Sequence, residues 1–480
     1  MKEKRIFAGL DVGTSSMKAV LIEIANDQCR VLYSHGCPYN ESGTPERDPD
    51  KWLAVAHQLL AQLLQIRIPD AIGFTGQMHT FLAVNQDTNS IAPVKLWLDM
   101  DGFQVLNNID LSRSQWLERT GNIPLPDFTL AKWLWAIEQD PQLPHKVSRL
   151  YCAKDIIRAS LDPNAPFVID SNEAAGTQCF DPVNEQWQSD IIEMAKLPSS
   201  ALPTVVDART EAGFLDLASY GKQSEKVPLI VGAGDQATAA RAVGGHQEGV
   251  VSVSLGTSGV LSFNLDKQAF PNVWRGDFHW FPIGFDDKQQ IIGTIPSLGS
   301  TLDWFMRLHN LSKQTFQAHS LTTLEQSSNV YFMPFMAGIG APEPTHDVRA
   351  AWFNESANTE LADLIRALFN GIALEFCYII RQAQQLNISV DRLVFSGGGA
   401  HIDALLAIIS STTGHKCYRI NELDASAIGA ALLAADSQIA TTHVVLPCTE
   451  IKTADRHPVS DEYRKQWQLY RTFLKSNGVC

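Results

Sequence analysis

The sequence contains the same short pattern twice: an apolar run, a Gly-Thr-Ser turn and a second apolar run. The first copy is Ile6–Glu23, and its turn is formed by Gly13, Thr14 and Ser15. The second copy is Gly249–Phe263, with Gly256, Thr257 and Ser258 at its turn. Each copy predicts two strands joined by a tight turn. The turns lie 243 residues apart in a chain of 480 residues. A repeat at half the chain length predicts two related domains that offer their turns to one shared cleft.

Each turn has the chemistry of an anion site. Glycine lets the backbone fold back without a Cβ in the way. Hydroxyls and backbone N–H groups around it can point at a phosphate. Asp11 stands at the mouth of the first turn, where a carboxylate can hold a metal ion or its water. An ordinary hairpin would have the same local sequence, so it is the second copy that favours phosphate binding.

Between and after the two hairpins, strand and helix patterns alternate, which predicts an α/β architecture with mixed sheets. We place the domain junction at the glycine pair Gly244-Gly245, a suitable hinge, which gives domains 1–244 and 245–480. Helices are predicted over Pro49–Leu64 and over the small-residue stretch Asp424–Ala435, which suits close approach of another backbone. A strand is predicted over Ile91–Trp97.

Composition excludes several classes of function. The net charge of −14 argues against a nucleic-acid partner. The apolar stretches are too short to span a membrane, and the run after Met1–Arg5 is too short for a signal peptide. The eight cysteines are scattered without a CxxC pair, which indicates free thiols in a reducing compartment. We therefore expect a cytoplasmic protein without membrane or nucleic-acid partners.

Asp235 is the first candidate catalytic residue. It follows the predicted strand Val227–Gly234, where a glycine-rich turn leads into a helix. Ligands of open α/β sheets bind outside the carboxyl ends of strands. A carboxylate at that place, near the domain junction, can accept a proton from a substrate hydroxyl. Aspartate is also a favoured helix N-cap, and the sequence alone leaves both interpretations open.

Two nucleotide-binding motifs are disfavoured. Gly232–Ala237 matches GxGxxA after a strand, as in a dinucleotide-binding fold. That fold requires an acidic residue at the end of the next strand, but Ser254-Leu255-Gly256 stands there. The Walker pattern GxxxxGK[ST] is absent. The sequence therefore argues against a dehydrogenase and against a P-loop enzyme.

Together these motifs resemble the FGGY carbohydrate kinases over nearly the whole chain and in the family's order. The family implies two ribonuclease-H-like, actin-like ATPase domains with a central cleft. The matching pieces are Gly9–Lys18 (GLDVGTSSMK), Gly76–His79 (GQMH), Phe128–Trp135 (FTLAKWLW), Asp170–Thr177 (DSNEAAGT), Gly234–Ala237 (GDQA), Ser254–Gly259 (SLGTSG), Gly397–Ala400 (GGGA) and Ala427–Ala431 (AIGAA).

The resemblance implies ATP and Mg²⁺ as cofactors and a role for each matched residue. Asp235 resembles the catalytic base, and Asp11 the carboxylate beside magnesium and the transferred phosphoryl group. The first domain would bind the sugar and the second the nucleotide. The acceptor site would comprise Gln77, Met78, His79, Trp97, Asp99 and Asp235. The nucleotide would contact Gly13, Thr14, Ser15, Lys18, Gly256, Thr257, Ser258, Ser300, Asp303, Gly398, Gly399 and Asp403.

Within the family, GQMH and the middle of the chain are most similar to xylulokinases. The expected enzyme is a phosphotransferase with an alcohol acceptor, converting a ketose such as D-xylulose and ATP to D-xylulose 5-phosphate and ADP. Two segments depart from xylulokinases: Trp97–Asp101 reads WLDMD where WNDGR is usual, and Gly338–Pro344 is closer to glycerol kinases. Ribulose, sedoheptulose, glycerol or another polyol therefore remain alternative substrates. An actin-like ATPase, a sugar-binding pseudokinase and a homodimeric state also stay open.

Overall fold

The computed structural model describes residues 4–223, 225–267, 274, 276–345, 348–422, 424–439, 441, 443–452 and 458–476. Met1, Lys2, Glu3 and Cys480 therefore lie outside the described residues. The fold is α/β, and its two largest sheets divide the chain. One sheet takes its strands from residues before Asp235, and the other takes its strands from residues after Gly249.

The strands of the first half follow in chain order: β1 (Arg5–Val12), β2 (Ser16–Ala25), β3 (Gln28–Pro38), β4 (Ala71–Gly76), β5 (Leu82–Val84), β6 (Arg149–Tyr151), β7 (Val168–Asp170), β8 (Phe180–Asp181), β9 (Gln186–Trp187), β10 (Thr204–Val206), β11 (Glu211–Asp216) and β12 (Lys226–Gly234). Those of the second half are β13 (Val250–Leu255), β14 (Gly259–Asp266), β15 (His279–Pro282), β16 (Lys288–Ile295), β17 (Tyr331–Met333), β18 (Ala351–Phe353), β19 (Arg392–Ser396), β20 (Lys416–Ile420) and β21 (Cys448–Glu450).

The α-helices are α1 (Pro49–Ile66), α2 (Arg113–Thr120), α3 (Thr129–Gln139), α4 (Leu143–Lys146), α5 (Ala153–Leu161), α6 (Ser171–Ala175), α7 (Ser189–Met194), α8 (Asp235–Val243), α9 (Leu298–Leu308), α10 (Lys313–Thr322), α11 (Leu361–Gln385), α12 (Asp403–Thr413), α13 (Ala425–Gln438) and α14 (Asp461–Ser476). The predicted helix at Pro49 is confirmed. It begins after Asp48, whose side chain accepts a hydrogen bond from the N–H of Asp50.

Both large sheets are mixed and repeat one arrangement. The first sheet has the order β11-β12-β4-β1-β2-β3, and β1 is antiparallel to β2 but parallel to β4. The second has the order β15-β16-β14-β13-β19-β20-β21, and β13 is antiparallel to β14 but parallel to β19. Each predicted hairpin therefore exists, and each is followed by a parallel neighbour. The mixed α/β architecture with an internal repeat is confirmed.

Helix α13 belongs to the second half by sequence but packs on the first sheet. A Cβ on Gly9 of β1 would lie 1.9 Å from the carbonyl oxygen of Ala427, and one on Gly73 of β4 would lie 2.0 Å from that of Ala430. On the helix itself, a Cβ at Gly429 would lie 1.8 Å from the carbonyl oxygen of Thr238 in α8. The close backbone approach predicted for this small-residue stretch is therefore confirmed. The second half completes the core beneath the first sheet.

The predicted strand over Ile91–Trp97 is wrong. The structure has a single isolated bridge there, between Phe81 and Lys95. Two physical reasons are visible. Pro93 has no N–H to donate to a ladder, and Leu96 and Asp99 bond each other in a local turn, since the N–H of Asp99 donates to the carbonyl of Leu96.

The described residues allow a check of the cysteines and of membrane-spanning helices. The seven cysteines among them are free thiols, as their scattered spacing predicts. In the same parts of the chain, no helix is both long and apolar enough to cross a bilayer.

Candidate active site

Three parallel strand ends bring the acidic and polar candidates of the first half to one edge of its sheet. Asp11 of β1 is in register with Thr75 of β4, and Gly234 of β12 is in register with Gly76. Asp11, the segment Gln77–His79 and Asp235 therefore lie at neighbouring carboxyl ends. This is the edge where open α/β sheets bind their ligands.

Asp235 is the first residue of α8, and its pKa is strongly shifted. The N-cap of that helix is Gly234, so capping does not describe the position of Asp235. Its side chain is half-buried. The pKa of Asp235 is raised to about 7, mainly by loss of hydration and secondly by the negative charge of nearby Asp11. A carboxyl group with a pKa near 7 can both accept and release a proton near neutral pH, which suits a general base.

Asp11 is buried and held by the second half of the chain. Its Oδ2 accepts a hydrogen bond of 2.6 Å from the hydroxyl of Ser426 in α13. Burial raises the pKa of Asp11, although the bond from Ser426 and the charge of Lys18 oppose the rise. Lys18 itself forms an ion pair of 3.0 Å with Asp424. The lysine expected at the nucleotide thus neutralises an aspartate beside α13.

These two carboxyl groups fit a divalent cation bound together with phosphate. Asp11 raises the pKa of Asp235, so the two negative charges repel each other across the site. A cation beside them would relieve that repulsion. Within the described ranges, no cluster of three or more His, Cys, Asp or Glu side chains could hold a metal alone. Magnesium needs no such cluster, because one or two carboxylates, substrate phosphates and water suffice.

The first Gly-Thr turn is linked to Gln77 and Trp97 through the hydroxyl of Thr14. Thr14 Oγ1 donates to Gln77 Oε1 at 3.0 Å and accepts from Trp97 Nε1 at 3.1 Å. The N–H of Gly13 closes the turn on the carbonyl of Ser16 at 3.1 Å. The Thr14 hydroxyl is therefore engaged within the protein. A contact between Thr14 and a phosphate would therefore be made by the backbone N–H of Thr14.

The second Gly-Thr turn is open to solvent and is buttressed by α9. Gly256 and Thr257 are exposed. A Cβ on Gly299 would lie 2.0 Å from the carbonyl oxygen of Gly256, so only glycine allows the helix to start this close. The N–H of Ser300 donates to the carbonyl of Thr257 at 3.1 Å. Asp303 lies one turn further along α9 and is exposed.

The triple glycine lies beside this second turn. Ser254 of β13 is in register with Ser396 of β19, so the ends of both strands reach the same edge. Gly397 has a φ of +85°, and a Cβ on Gly398 would meet open space, so the backbone at Gly398 is open on that side. Asp403 forms an ion pair with Arg419 at 2.5 Å. The structure thus brings the glycines together with Gly256, while the carboxylate of Asp403 is neutralised by arginine.

The motif Gln77–His79 lies against the strand end that carries Asp235. A Cβ on Gly234 would lie 2.6 Å from Met78 Cγ. His79 has a left-handed φ of +63°, and Lys132 donates to its carbonyl at 2.7 Å. His79 Nδ1 lies 2.8 Å from the carbonyl of Gly176, so Nδ1 carries the hydrogen and Nε2 is an acceptor. Burial lowers the pKa of His79 to about 4, which keeps this ring neutral.

Trp97 and Asp99 have different environments. The Trp97 side chain is 44% exposed and faces solvent. Asp99 is held by Arg47, whose Nε and Nη2 donate to its two carboxylate oxygens at 3.1 and 2.6 Å. Burial opposes ionisation of Asp99, but the hydrogen bonds from Arg47 lower its pKa overall. Asp99 therefore orders the Trp97 segment, and both of its oxygens are already used.

Sequence reasoning missed three supporting residues: Arg47, Ser426 and Asn172. The segment Trp97–Asp101 lacks the arginine that is usual in xylulokinases, and this absence was a signal that Asp99 needs a cation from another part of the chain. Asn172 lies within the matched motif Asp170–Thr177, and Ser426 lies within the predicted helix Asp424–Ala435, but the partners that give them their roles come from the other half of the chain. No local pattern could identify those partners.

Comparisons with known proteins identify the family of the chain. The family model described as "FGGY family of carbohydrate kinases, N-terminal domain" matches residues 6–242, and that of the C-terminal domain matches residues 251–437. The chain is 26% identical to a xylulose kinase of Lactococcus lactis over 493 residues, which cover 98% of this chain and 96% of the relative.

Solved structures show the same fold. A xyloylose kinase from Brucella ovis superposes with a TM-score of 0.86 at 23% identity and covers 99% of both chains. A gluconate kinase from Lactobacillus acidophilus reaches a TM-score of 0.85 at 18% identity, covering 99% of this chain and 98% of its own. Proteins named for different substrates therefore share this architecture.

Proposed function

The chain belongs to the FGGY family of carbohydrate kinases, and we propose that it transfers the γ-phosphoryl group of ATP to a terminal hydroxyl of a ketose, with D-xylulose as the first candidate. The observation that carries the proposal is the position of Asp235. A carboxyl group with a pKa of about 7 follows a strand end, beside a buried second carboxyl and the acceptor motif. This arrangement supports proton removal from an alcohol.

In the proposed mechanism, the protein positions the reactants and stabilises charge, as phosphoryl transfer requires. Asp235 accepts the proton of the attacking hydroxyl. Backbone N–H groups of the two Gly-Thr turns hold the phosphates from opposite sides of the cleft. Asp11 would hold Mg²⁺, which offsets negative charge on the phosphoryl oxygens when it is bound. Ser426 keeps the Asp11 carboxylate oriented through its 2.6 Å hydrogen bond.

The glycine pair at the end of α8 supports a closing motion of the cleft. Gly244 caps the helix with a φ of +77°, a conformation that other residues rarely adopt. Such positions can absorb the backbone rotation of a hinge. Closure would exclude water from the phosphoryl group and so limit wasteful hydrolysis of ATP. The domain boundary at Gly244-Gly245 remains part of this proposal.

The choice of a ketose rests on the relatives and on the acceptor side of the cleft. The Lactococcus relative is named a xylulose kinase and spans nearly the whole chain. The strand end beside Asp235 offers the amide of Gln77 and the acceptor nitrogen of His79. The exposed indole of Trp97 is joined to Gln77 through the hydroxyl of Thr14. The Nε2 of Gln77 is buried without a partner in the protein, so a substrate hydroxyl could accept its hydrogen bond. Ribulose, sedoheptulose, glycerol and gluconate are the competing acceptors.

The test is ADP release from MgATP across D-xylulose, D-ribulose, sedoheptulose, glycerol and gluconate. We expect D-xylulose to give the highest kcat/KM and NMR spectroscopy of the product to place the phosphate on O5. A different preferred acceptor would overturn the choice of sugar but not the phosphotransferase. ADP release that no acceptor stimulates would instead favour an actin-like ATPase. Thermal stabilisation by a sugar without ADP release would favour a sugar-binding pseudokinase.

A further inference from the structure

Asn172 is a fully buried side chain at the contact between the two halves of the chain. Its Nδ2 donates to the carbonyl of Pro282, the last residue of β15, at 2.7 Å. The same nitrogen lies 3.5 Å from Oε1 of Gln290 in β16. Asn172 therefore contacts the edge of the second sheet, although it lies in the short helix α6 of the first half.

The other end of the same amide contacts the strand that carries the proposed base. Asn172 Oδ1 accepts a hydrogen bond of 3.2 Å from the N–H of Gly234, the residue immediately before Asp235. A Cβ on Gly234 would lie 2.6 Å from this oxygen and 2.6 Å from Met78 Cγ. The end of β12 is therefore enclosed between Asn172 and the acceptor motif.

The partners fix the orientation of the amide. The carbonyl of Pro282 can only accept, and the N–H of Gly234 can only donate. The amide of Asn172 therefore satisfies both partners only with its nitrogen facing Pro282 and its oxygen facing Gly234. The backbone around Asn172 is also fixed, because its own N–H donates to Asp170 Oδ1 at 2.9 Å and Asp170 forms a buried ion pair of 2.8 Å with Lys154.

We propose that Asn172 is a positioning residue for Asp235. Asn172 holds the end of β12, which directly precedes the base, against strand β15 of the second half. The inference rests on the proposed function, since it assigns to Asn172 the placement of the base in that reaction. Displacement of a reacting group by about 1 Å can cost about 10²-fold in rate. A side chain that holds Gly234 from one side can control such a displacement without touching the substrate.

Asn122 provides a matched control. Its Nδ2 donates to the carbonyl of Trp280 at 2.7 Å, and its Oδ1 accepts from the N–H of Trp280 at 2.9 Å. Asn122 is buried and bonds the same strand β15 as Asn172 does. Its amide bonds Thr120 and Trp280 rather than the Gly234 segment. Replacing Asn122 therefore removes a comparable contact between the halves and leaves the Gly234 bond in place.

The experiment compares Asn172→Ala with Asn122→Ala in the full chain. For Asn172→Ala we expect kcat to fall by about 10- to 100-fold, with the KM for ATP unchanged. The pH profile of kcat/KM should also shift, because the hydration of Asp235 changes. Hydrogen exchange of a peptide containing Gly234 should become faster. Asn122→Ala should lower the melting temperature similarly but keep kcat, the pH profile and the exchange of that peptide close to wild type.

Several outcomes would overturn the inference. Equal kcat values for the two variants, or unchanged exchange at Gly234 in Asn172→Ala, would show that Asn172 is only structural. If Asn172→Ala does not fold, Asn172→Ser serves in its place, since it fills part of the space but is too short to reach both partners. An Asp235→Asn enzyme with wild-type turnover would overturn the proposed function instead, so the two failures are distinguishable.

Discussion

The indole N–H of Trp97 donates a hydrogen bond of 3.1 Å to the hydroxyl of Thr14. Thr14 belongs to the first Gly-Thr turn, and the Trp97 side chain is exposed to solvent. The same hydroxyl donates to Gln77 at 3.0 Å. One threonine side chain therefore connects the proposed phosphate site with the proposed sugar site, whereas its counterpart Thr257 is exposed to solvent.

This connection predicts different effects for the same substitution in the two turns. Thr14→Val keeps the shape of the side chain but removes both hydrogen bonds of its hydroxyl. Since a hydrogen bond contributes about 0.5–1.5 kcal/mol, we expect the KM of the sugar to rise by about 2- to 10-fold for each bond lost. Thr257→Val should change the KM of ATP and leave that of the sugar unchanged. Steady-state kinetics with each substrate varied in turn measure both effects. Equal changes in the sugar KM would contradict the connection.

Replacing Asp235 is predicted to stop turnover without unfolding the protein. Loss of a general base costs about 10²- to 10⁴-fold in rate, so Asp235→Asn should lose at least the lower amount. In the wild type, only the ionised carboxylate can accept the proton. With a pKa of about 7 in the absence of a bound cation, the kcat/KM for MgATP, which reports the enzyme before MgATP binds, should therefore rise with pH through neutrality and level off above it. A flat profile between pH 5 and pH 9, both about two units from that pKa, would exclude Asp235 as the base.

The same pKa predicts a gain in stability on neutralising Asp235. The unfolded residue has a pKa near 3.8 and the folded one about 7, so the folded state holds the proton more tightly between these values. The contribution of Asp235 to the free energy of unfolding is therefore lost as the pH rises toward 7. Asp235→Asn should melt at a higher temperature than the wild type at pH 8, about one unit above that pKa. The difference should shrink as the pH is lowered toward 4. Thermal unfolding across this range tests it, and a variant that is less stable at pH 8 would contradict the shift.

The parts of the site that the sequence predicts are those fixed by local chemistry. An apolar run followed by Gly-Thr-Ser can only turn sharply, so the two hairpins and the position of Asp11 follow from a few neighbouring residues. Asp235 is similar, because a buried strand, two glycines and a helix pattern place it at a strand end. These elements were predicted correctly as structure, while their chemical roles stay predictions until they are measured.

The supporting contacts could not be predicted, because each joins residues that are distant along the chain. Arg47 and Asp99 are 52 residues apart, Asn172 and Pro282 are 110 apart, and Ser426 and Asp11 are 415 apart. Their pairing depends on how helices and sheets pack, which a single sequence does not specify. The predicted strand before Trp97 failed for a related reason, since its backbone hydrogen bonds to Phe81 and Ala83 are isolated and do not form a continuous ladder.

Removing Arg47 is predicted to weaken sugar binding selectively. Arg47 donates hydrogen bonds to both carboxylate oxygens of Asp99. Asp99 in turn accepts a hydrogen bond from the N–H of Leu96, which holds the turn before Trp97. Arg47→Ala should raise the sugar KM by about tenfold, the effect of about 1.4 kcal/mol, with little change in the ATP KM. Arg119→Ala is the control, since it breaks a partly exposed pair with Asp190 elsewhere in the same half. Equal kinetics for the two variants would show that the Asp99 turn does not shape the acceptor site.

The packing of α13 on the first sheet predicts that Gly9 tolerates no side chain. In Gly9→Ala the new Cβ would lie 1.9 Å from the carbonyl oxygen of Ala427, a backbone atom that only a shift of the whole helix can move away. Overpacking of this kind costs about 1–3 kcal/mol, and the shift would also displace Ser426 from Asp11. We expect denaturant unfolding to show a lower free energy of unfolding, together with reduced kcat. Gly36→Ala in the same sheet is the control, because its Cβ would meet only Lys18 Cγ at an ordinary 3.6 Å. If Gly9→Ala is as stable and active as Gly36→Ala, the close contact between α13 and β1 is not maintained in solution.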